Sequence, residues 1–296
     1  MRPGATSRVT ALAVPAGDAR RDGTYADDVV ATEEPLEIRL IARGSRVPVA
    51  VTMRTPGNDF ELAAGFLFSE GVVNRRLEVS RISYCVDREV DEEQRFNIVN
   101  VHLANGAAGE GTAFDEGSGP GPGLARLERH FVMTSACGVC GKASLGALRD
   151  RGLEKVPEGP PLSSTVIVSL PGKMRHAQTL FAKTGGAHAA ALFGPGGDLV
   201  AVREDVGRHN AMDKLVGWAF LEGRLPLAGH VLVVSGRSSF ELAQKAVSAG
   251  AAALCSVSAP SSLAVALAGE FGLTLAAFVR PDGFKVYSGA ERVTLP

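Results

Sequence analysis

Two cysteines separated by two residues, Cys137-Gly138-Val139-Cys140, are the most reactive pattern in this chain. A thiolate can be a nucleophile, a metal ligand or a redox centre, so the spacing admits three chemistries. A structural zinc site takes four ligands, commonly as two close pairs. No second pair exists here, and Cys85, Cys255 or histidines from afar would have to complete the set. A thioredoxin-like dithiol is compatible with the spacing. That motif, however, follows an early strand of a small domain, and this one lies mid-chain after a Gly-rich stretch. A persulfide carrier needs an accessible thiolate that accepts sulfur from a donor and hands it on. Cys140 immediately precedes Gly141 and Lys142, where residues 142–149 read as a helix. Helix N–H groups and a nearby cation stabilise a thiolate. These features serve redox and sulfur transfer equally.

A second set of residues points to anions. Ser235, Gly236, Arg237 and Ser238 follow a strand and precede a helix, which sets free N–H groups, hydroxyls and a guanidinium at a helix N-terminus. Ser258-Ala259-Pro260-Ser261-Ser262 repeats the arrangement after the next strand. Two such loops side by side would hold a ligand with more than one phosphate, whereas the plainer reading is that the serines cap their helices. Between a strand and a helix lies Arg203-Glu204-Asp205-Val206-Gly207-Arg208-His209-Asn210. Capping accounts for Asp205 and Asn210, and Arg203, Arg208 and His209 remain as contacts for an anion or a base edge. His188, after Gly185-Gly186-Ala187, is a further candidate, and His102, His130, His176 and His230 read as surface or core.

The elements that must position these residues are legible from periodicity. Residues 1–30 are polar and aperiodic and read as a flexible arm. Residues 36–40 and 47–53 alternate around a Gly44-Ser45 turn as a hairpin, and a helix opens after Pro56-Gly57-Asn58-Asp59 and closes at Gly71. Residues 82–86 and 96–103 read as a strand pair, and 104–123 as a long mobile loop. Residues 31–130 thus form a smaller α+β region, and 131–296 an α/β domain. In the latter, 166–168 read as a buried strand and Pro171 as the start of a helix to Lys183. Strands at 188–193 and 199–202 flank a Gly-Pro-Gly-Gly turn, and 210–222 is helical. The strand–helix–strand–helix–strand order from 231 to 279 implies parallel pairing with right-handed crossovers. In such sheets ligands gather at the carboxyl ends of strands. The turn Phe278-Val279-Arg280-Pro281-Asp282-Gly283 should therefore face the same crevice as Ser235–Ser238, unless it merely joins two strands.

The totals exclude several classes. The chain has 296 residues, 45% hydrophobic and 21% charged, with a net charge of −1. That is a globular composition without the basic excess of a nucleic-acid protein. The longest Ala-rich stretch is broken by serines, Gly250 and Pro260, so no membrane span is expected. The N-terminus lacks an uninterrupted apolar core for a signal peptide, so a cytoplasmic location is expected. Four cysteines are too few for a disulfide framework, and Cys85 and Cys255 read as small buried residues.

Several segments together resemble the FdhD family of formate dehydrogenase accessory sulfurtransferases. They are Gly65-Phe66-Leu67-Phe68-Ser69-Glu70-Gly71, the stretch from Thr134 through the cysteine pair to Lys142, Thr184-Gly185-Gly186-Ala187-His188, Arg203 to Lys214, Ser235 to Glu241, and Ser258 to Ser262. The resemblance covers roughly residues 31 to 290, leaving out the N-terminal arm and 104–123. It implies a sulfurtransferase that takes sulfur from a cysteine desulfurase as a Cys137 persulfide, with Cys140 assisting or resolving it. The acceptor would be the molybdenum cofactor in its bis-molybdopterin guanine dinucleotide form, which the formate dehydrogenase catalytic subunit uses. The family's cofactor segment maps onto Phe278, Val279, Arg280, Pro281, Asp282 and Gly283. The resemblance also implies a homodimer, no structural metal, and a cytidine-deaminase-like three-layer domain with a mostly parallel sheet. Deaminase chemistry is not expected, because Ala189-Ala190 follows His188 where such enzymes place His-x-Glu, and the cysteine pair precedes that histidine and lacks its proline.

Overall fold

In the computed structural model of the chain, residues 3–14, 23–42, 45–87, 89–92, 94–104 and 153–296 are described. The cysteine pair, the expected helix at 142–149 and all but the first residue of the 104–123 stretch lie outside them.

The alternation in 36–40 folds as expected. Leu36, Ile38 and Leu40 of β3 (Glu34–Ala42) are fully buried, as one face of a strand must be against a core. β3 pairs antiparallel with β4 (Ser45–Arg54) and parallel with β6 (Ile98–Leu103), which pairs antiparallel with β5 (Val79–Tyr84). Helix α1 (Asp59–Ser69) covers this four-stranded sheet with Leu62 and Leu67. The turn into α1 is held by a buried ion pair. Arg54, with no exposed surface, donates to both carboxylate oxygens of Asp59 at 3.1 and 3.2 Å, and the Tyr84 hydroxyl donates to the same carboxylate at 3.0 Å.

The second unit is a six-stranded sheet in the order β13-β12-β11-β10-β8-β9. β8 (His188–Phe193) and β9 (Leu199–Asp205) form a hairpin, and β10 (Val231–Val234), β11 (Ala253–Ser256) and β12 (Thr274–Arg280) follow in sequence. Both β10–β11 and β11–β12 are parallel, as the strand–helix alternation requires. The sheet as a whole is mixed, which corrects the mostly parallel expectation. Its β8 runs antiparallel to β10, and β13 (Gly283–Ser288) returns antiparallel along β12. The cause is local: the short turns at Gly194–Gly197 and Arg280–Gly283 leave no room for a crossover helix.

Both faces of this sheet are covered, so alternate residues of its strands enter different cores. Leu232 and Val234 pack toward α4 (Arg208–Leu221), α5 (Phe240–Ser248) and α6 (Ser262–Phe271). Val231 and Val233 pack toward α2 (Ser164–Ala177) through Ile167, Leu170 and Met174. Residues 166–168 are therefore helical, not a strand, and Pro171 lies inside α2 instead of starting it. Ile167, Leu170 and Met174 recur at helical spacing and share one buried face, a period that a three-residue apolar run hides. A short helix α3 (Thr179–Thr184) follows and ends at Gly185 in the left-handed conformation.

Residues read as an aperiodic arm also form structure. β1 (Thr6–Ala13) pairs with β2 (Thr24–Ala31) as an antiparallel hairpin with all of β1 exposed. Its backbone pairing needs no buried side-chain face, so no hydrophobic alternation announces it. Among the described residues no helix is long and apolar enough to cross a membrane.

The two units meet where α1 crosses α4. A Cβ placed on Gly65 would fall 1.9 Å from the Asp213 carbonyl oxygen, and one on Gly217 would fall 1.8 Å from that of Glu61. The backbones touch, and neither residue tolerates a side chain. Gly65→Ala or Gly217→Ala should lower stability by about 3 kcal/mol or more, seen as a reduced urea midpoint with the slope unchanged. An unchanged midpoint would mean that the two helices are not in backbone contact.

Candidate functional site

Antiparallel pairing of β8 with both neighbours brings five strand ends to one edge of the sheet. His188 opens β8 directly opposite Asp205, which closes β9. The backbone N–H of Ser235, just past β10, donates to the Ala189 carbonyl at 3.0 Å, and its side-chain oxygen accepts from the Ala189 N–H at 2.9 Å. His188 Nδ1 lies 3.3 Å from the same oxygen. The next two loops join laterally. The Ser238 N–H donates to the Ala259 carbonyl at 3.2 Å and the Ser261 N–H to the Ser238 carbonyl at 2.9 Å. The Phe278 N–H reaches Ser258, and the Arg280 guanidinium donates to the Val257 carbonyl at 2.6 Å. The strand-end expectation thus brings Ser235, Gly236, Arg237, Ser238, Arg208, His209, Phe278 and Arg280 to a common edge.

Both loops cap the helices they lead into, as the plainer reading of their serines expects: one with Ser261 of the Ser258–Ser262 loop, the other with Ser239, one residue past Ser235–Ser238. Ser239 accepts from the Leu242 N–H to start α5, and Ser261 from the Ala264 N–H to start α6. Ser238 is left over. It has no exposed surface and its hydroxyl has no partner. Arg208 is similar: its Nε is shielded from solvent and unpartnered. Buried polar groups are nearly always paired, so each exception asks for an explanation. Gly236 lies between them and His188. A Cβ there would meet the imidazole at 3.6 Å and Arg208 Cδ at 3.7 Å.

His209 faces α5 and not open solvent. Its Nε2 lies 3.2 Å from the Ser239 hydroxyl and 3.7 Å from the Glu241 carboxylate. Hydrogen bonding from His209 is the largest influence holding the Glu241 carboxyl down, to about 2. Burial, with Arg208 and His209 nearby, pushes the His188 imidazole below the ordinary histidine value, and Asp205 opposes weakly. His188, Ser239 and Glu241 join the site on this geometry. His188 is the candidate that the Gly-Gly-Ala-His run marks in the sequence, and Ser239 and Glu241 lie in the Ser235–Glu241 segment, where only the α4–α5 packing shows their contact with His209.

Other candidates are placed elsewhere. Arg203 donates to both oxygens of Glu61 on α1 at 2.5 and 2.8 Å and lies over the Trp218 ring, so its charge serves the contact between the two units. Val279 is buried in the sheet core, so only its backbone reaches the edge. Pro281 and Asp282 are exposed in the β12–β13 turn, and Gly283 begins β13. Asp205 is fully buried: it bonds the Lys214 ammonium at 2.7 Å and accepts from the Gly207 N–H at 2.8 Å. Cys85 and Cys255 are buried as expected, and burial pushes the Cys255 thiol to about 12, which keeps it inert. Cys137 and Cys140 lie outside the described residues.

The depressed His188 value sets a sign for acid stability. The unfolded chain binds a proton at this residue first. Its contribution is full above the unfolded value of about 6.5 and declines as pH falls toward the folded value. His102, also depressed by burial, acts in the same sense. His188→Gln should therefore flatten, without abolishing, the fall of the urea midpoint below about pH 6.5. An unchanged slope would mean that His188 titrates alike in both states.

Against known proteins, the FdhD/NarQ family model matches residues 31–294. The chain is 50% identical over 279 residues to the sulfur carrier protein FdhD of Streptomyces avermitilis, covering 93% of each chain. It is 48% identical to the protein of that name from Mycobacterium tuberculosis, over 90% of this chain and 92% of the other. The Sulfolobus acidocaldarius protein of that name is 40% identical, over 93% and 96%. A crystal structure of a proposed formate dehydrogenase accessory protein from Desulfotalea psychrophila superposes with a TM-score of 0.70 over 98% of this chain and 99% of the other, at 24% identity, and so shares the fold. Matched in sequence across nearly its whole length, the chain belongs to the FdhD/NarQ family.

Proposed function

We propose that this protein is a sulfur carrier for formate dehydrogenase maturation, taking sulfur onto Cys137 and delivering it to a guanine-dinucleotide molybdenum cofactor. The observation that carries the reading is the likeness, over nine-tenths of the chain, to proteins named sulfur carriers. The cysteine pair supplies a chemistry for it. The Cys137 thiolate attacks the outer sulfur of the donor's persulfide, a new S–S bond forms, and the donor leaves as a thiolate. No electrons are gained or lost in that exchange. Cys140 then attacks the Cys137 sulfur, closing a disulfide and expelling the outer sulfur at the sulfide level to the cofactor's metal. A cellular dithiol reopens the pair. The donor on this reading is a cysteine desulfurase.

The sheet edge supports the second half of the reading. Adjacent strands lie about 4.8 Å apart, so the edge from β9 to β12 spans roughly 19 Å. Along it stand the unpartnered Arg208 Nε and Ser238 hydroxyl at one end and the exposed Phe278 ring and Arg280 at the other. That length and those groups suit a ligand with separated phosphates and a flat base. Phe278, 37% exposed, is also held at φ 55°, a conformation bulky residues rarely adopt. The chain's part in the reaction is to hold the cofactor and to keep the sulfur from water.

Incubation with a cysteine desulfurase and free cysteine should add the mass of one sulfur atom to the wild-type chain and none to Cys137→Ala. The same variant should leave formate dehydrogenase inactive in cells. An active enzyme with Cys137→Ala would leave a protein that holds the cofactor without carrying sulfur. A chain that gains no sulfur and cycles between dithiol and disulfide would be a redox protein.

A further inference from the structure

A strand at the margin of a sheet leaves a row of N–H and C=O groups unpaired, and proteins guard such rows with bulges, prolines or charges. The margins of the two large sheets are guarded in this way. β4 carries Pro48 and a shift of register against β3. β5, β9 and β13 each pair with a shift of register as well. In the N-terminal hairpin, β2 carries Asp27 and Asp28 at mid-strand. β1 is the exception. Its eight residues, Thr6–Ala13, pair with β2 without interruption. They include no proline and one charge, Arg8. All are exposed, Val9 and Leu12 at 40% and 47%, and among the described residues no strand lies on the other side of β1. A two-stranded hairpin that buries neither face is marginally stable at best in water. The FdhD/NarQ match begins at residue 31, so the likeness to the family carries no expectation about this strand.

We propose that the free edge of β1 pairs antiparallel with β1 of a second copy of this chain, joining the two hairpins into one four-stranded sheet. The choice of occupant follows from charge. Two-fold antiparallel pairing keeps each face of the strand on one side of the joint sheet, so the residue at the axis meets its own copy. For a strand running from Thr6 to Ala13, that residue is Val9 or Thr10. With either at the axis, Arg8 lies opposite Thr10 or Leu12 of the second copy and never opposite its own counterpart. β2 paired with itself in the same way would set Asp27 or Asp28 against its own copy, and like charges directly opposite repel. The paired edge of β1 spans about 27 Å. A contact confined to two hairpins falls short of the roughly 1,600 Å² total of a standard interface, so the dimer forms and dissociates with concentration.

Sedimentation velocity of the full chain should show a dimer fraction that rises between about 1 and about 100 μM. Val9→Lys is the discriminating variant. It sets a cation opposite Asp28 within the hairpin, which supports the hairpin, and brings two cations together near the axis, which opposes the dimer. The dimer dissociation constant should rise about tenfold or more, with the unfolding midpoint of the chain unchanged. A covalent trap serves if that variant does not fold. In a chain carrying Cys137→Ser and Cys140→Ser, either Val9→Cys or Thr10→Cys should form an intermolecular disulfide under mild oxidation, because residues facing across such a pair have Cα atoms about 4.5–5.5 Å apart. Ala13→Cys, far from the axis, should not. A chain that stays monomeric throughout, a dimer that Val9→Lys leaves as strong, crosslinking at neither central position, or crosslinking as fast at Ala13→Cys would overturn the proposal. It stands apart from the carrier reading, on which only the sulfur gained by Cys137 bears.

Discussion

Helices usually pack with their axes 8–10 Å apart, because side chains stand between them. Where α1 crosses α4 there are none. Gly65 and Gly217 face each other, and each would drive a methyl group into the other helix's backbone. The rest of the molecule depends on this approach. It seats the four-stranded sheet and its helix on the six-stranded sheet, and it fixes the position of α4, whose first turn carries Arg208 and His209 to the sheet edge. The approach also brings polar groups into register. The Ser69 hydroxyl donates to Asp213 at 3.3 Å, and Asp213 binds the Lys245 ammonium of α5 at 2.6 Å. Thr55, at the entrance to α1, accepts from Lys214 and donates its N–H to Asp205.

These contacts separate two kinds of cation. Arg54, Arg203, Lys214 and Lys245 are held against Asp59, Glu61, Asp205 and Asp213, each across a junction of elements. A buried charge is tolerable only when paired and hydrogen-bonded, and losing one partner is far costlier than the net worth of the pair. Burial pushes the Asp213 carboxyl upward and Lys245 draws it back. Burial works likewise against the Lys245 ammonium, but Asp213 and Glu70 outweigh it. Such pairs specify how elements meet. Arg208 differs: its Nε is shielded and has nothing to bond. Within one fold, the paired cations fasten elements together, and Arg208 is set apart from them by a shielded nitrogen that no acceptor reaches.

The same contrast shows how far a sequence reading reaches. β3, β5 and β6, the helix after Asn58, and the alternation of strands and helices after residue 230 were all legible, because each buries one face at a regular period. Residues 166–168 misled because three consecutive apolar residues carry no period of their own. The helix became visible only once Leu170 and Met174 joined Ile167 on one buried face. The β1–β2 hairpin gave no signal because it buries neither face.

By itself, the sequence determined the element order, the parallel run at the centre of the large sheet, and the rule that Ser235–Ser238, Ser258–Ser262 and Phe278–Gly283 end on one edge. Those follow from local periodicity and chain connectivity, which neighbouring residues carry. Only the tertiary structure decided which cations were free. Arg203 and Arg208 read alike in one polar run, and what separates them is Glu61, 142 residues away in sequence, which one reaches and the other does not. It also decided that His188 stands beside Ser235 and that Ser238 lies buried without a partner. Those facts depend on strand pairing and helix crossing between distant segments, where the energy of a contact belongs to two places in the chain at once.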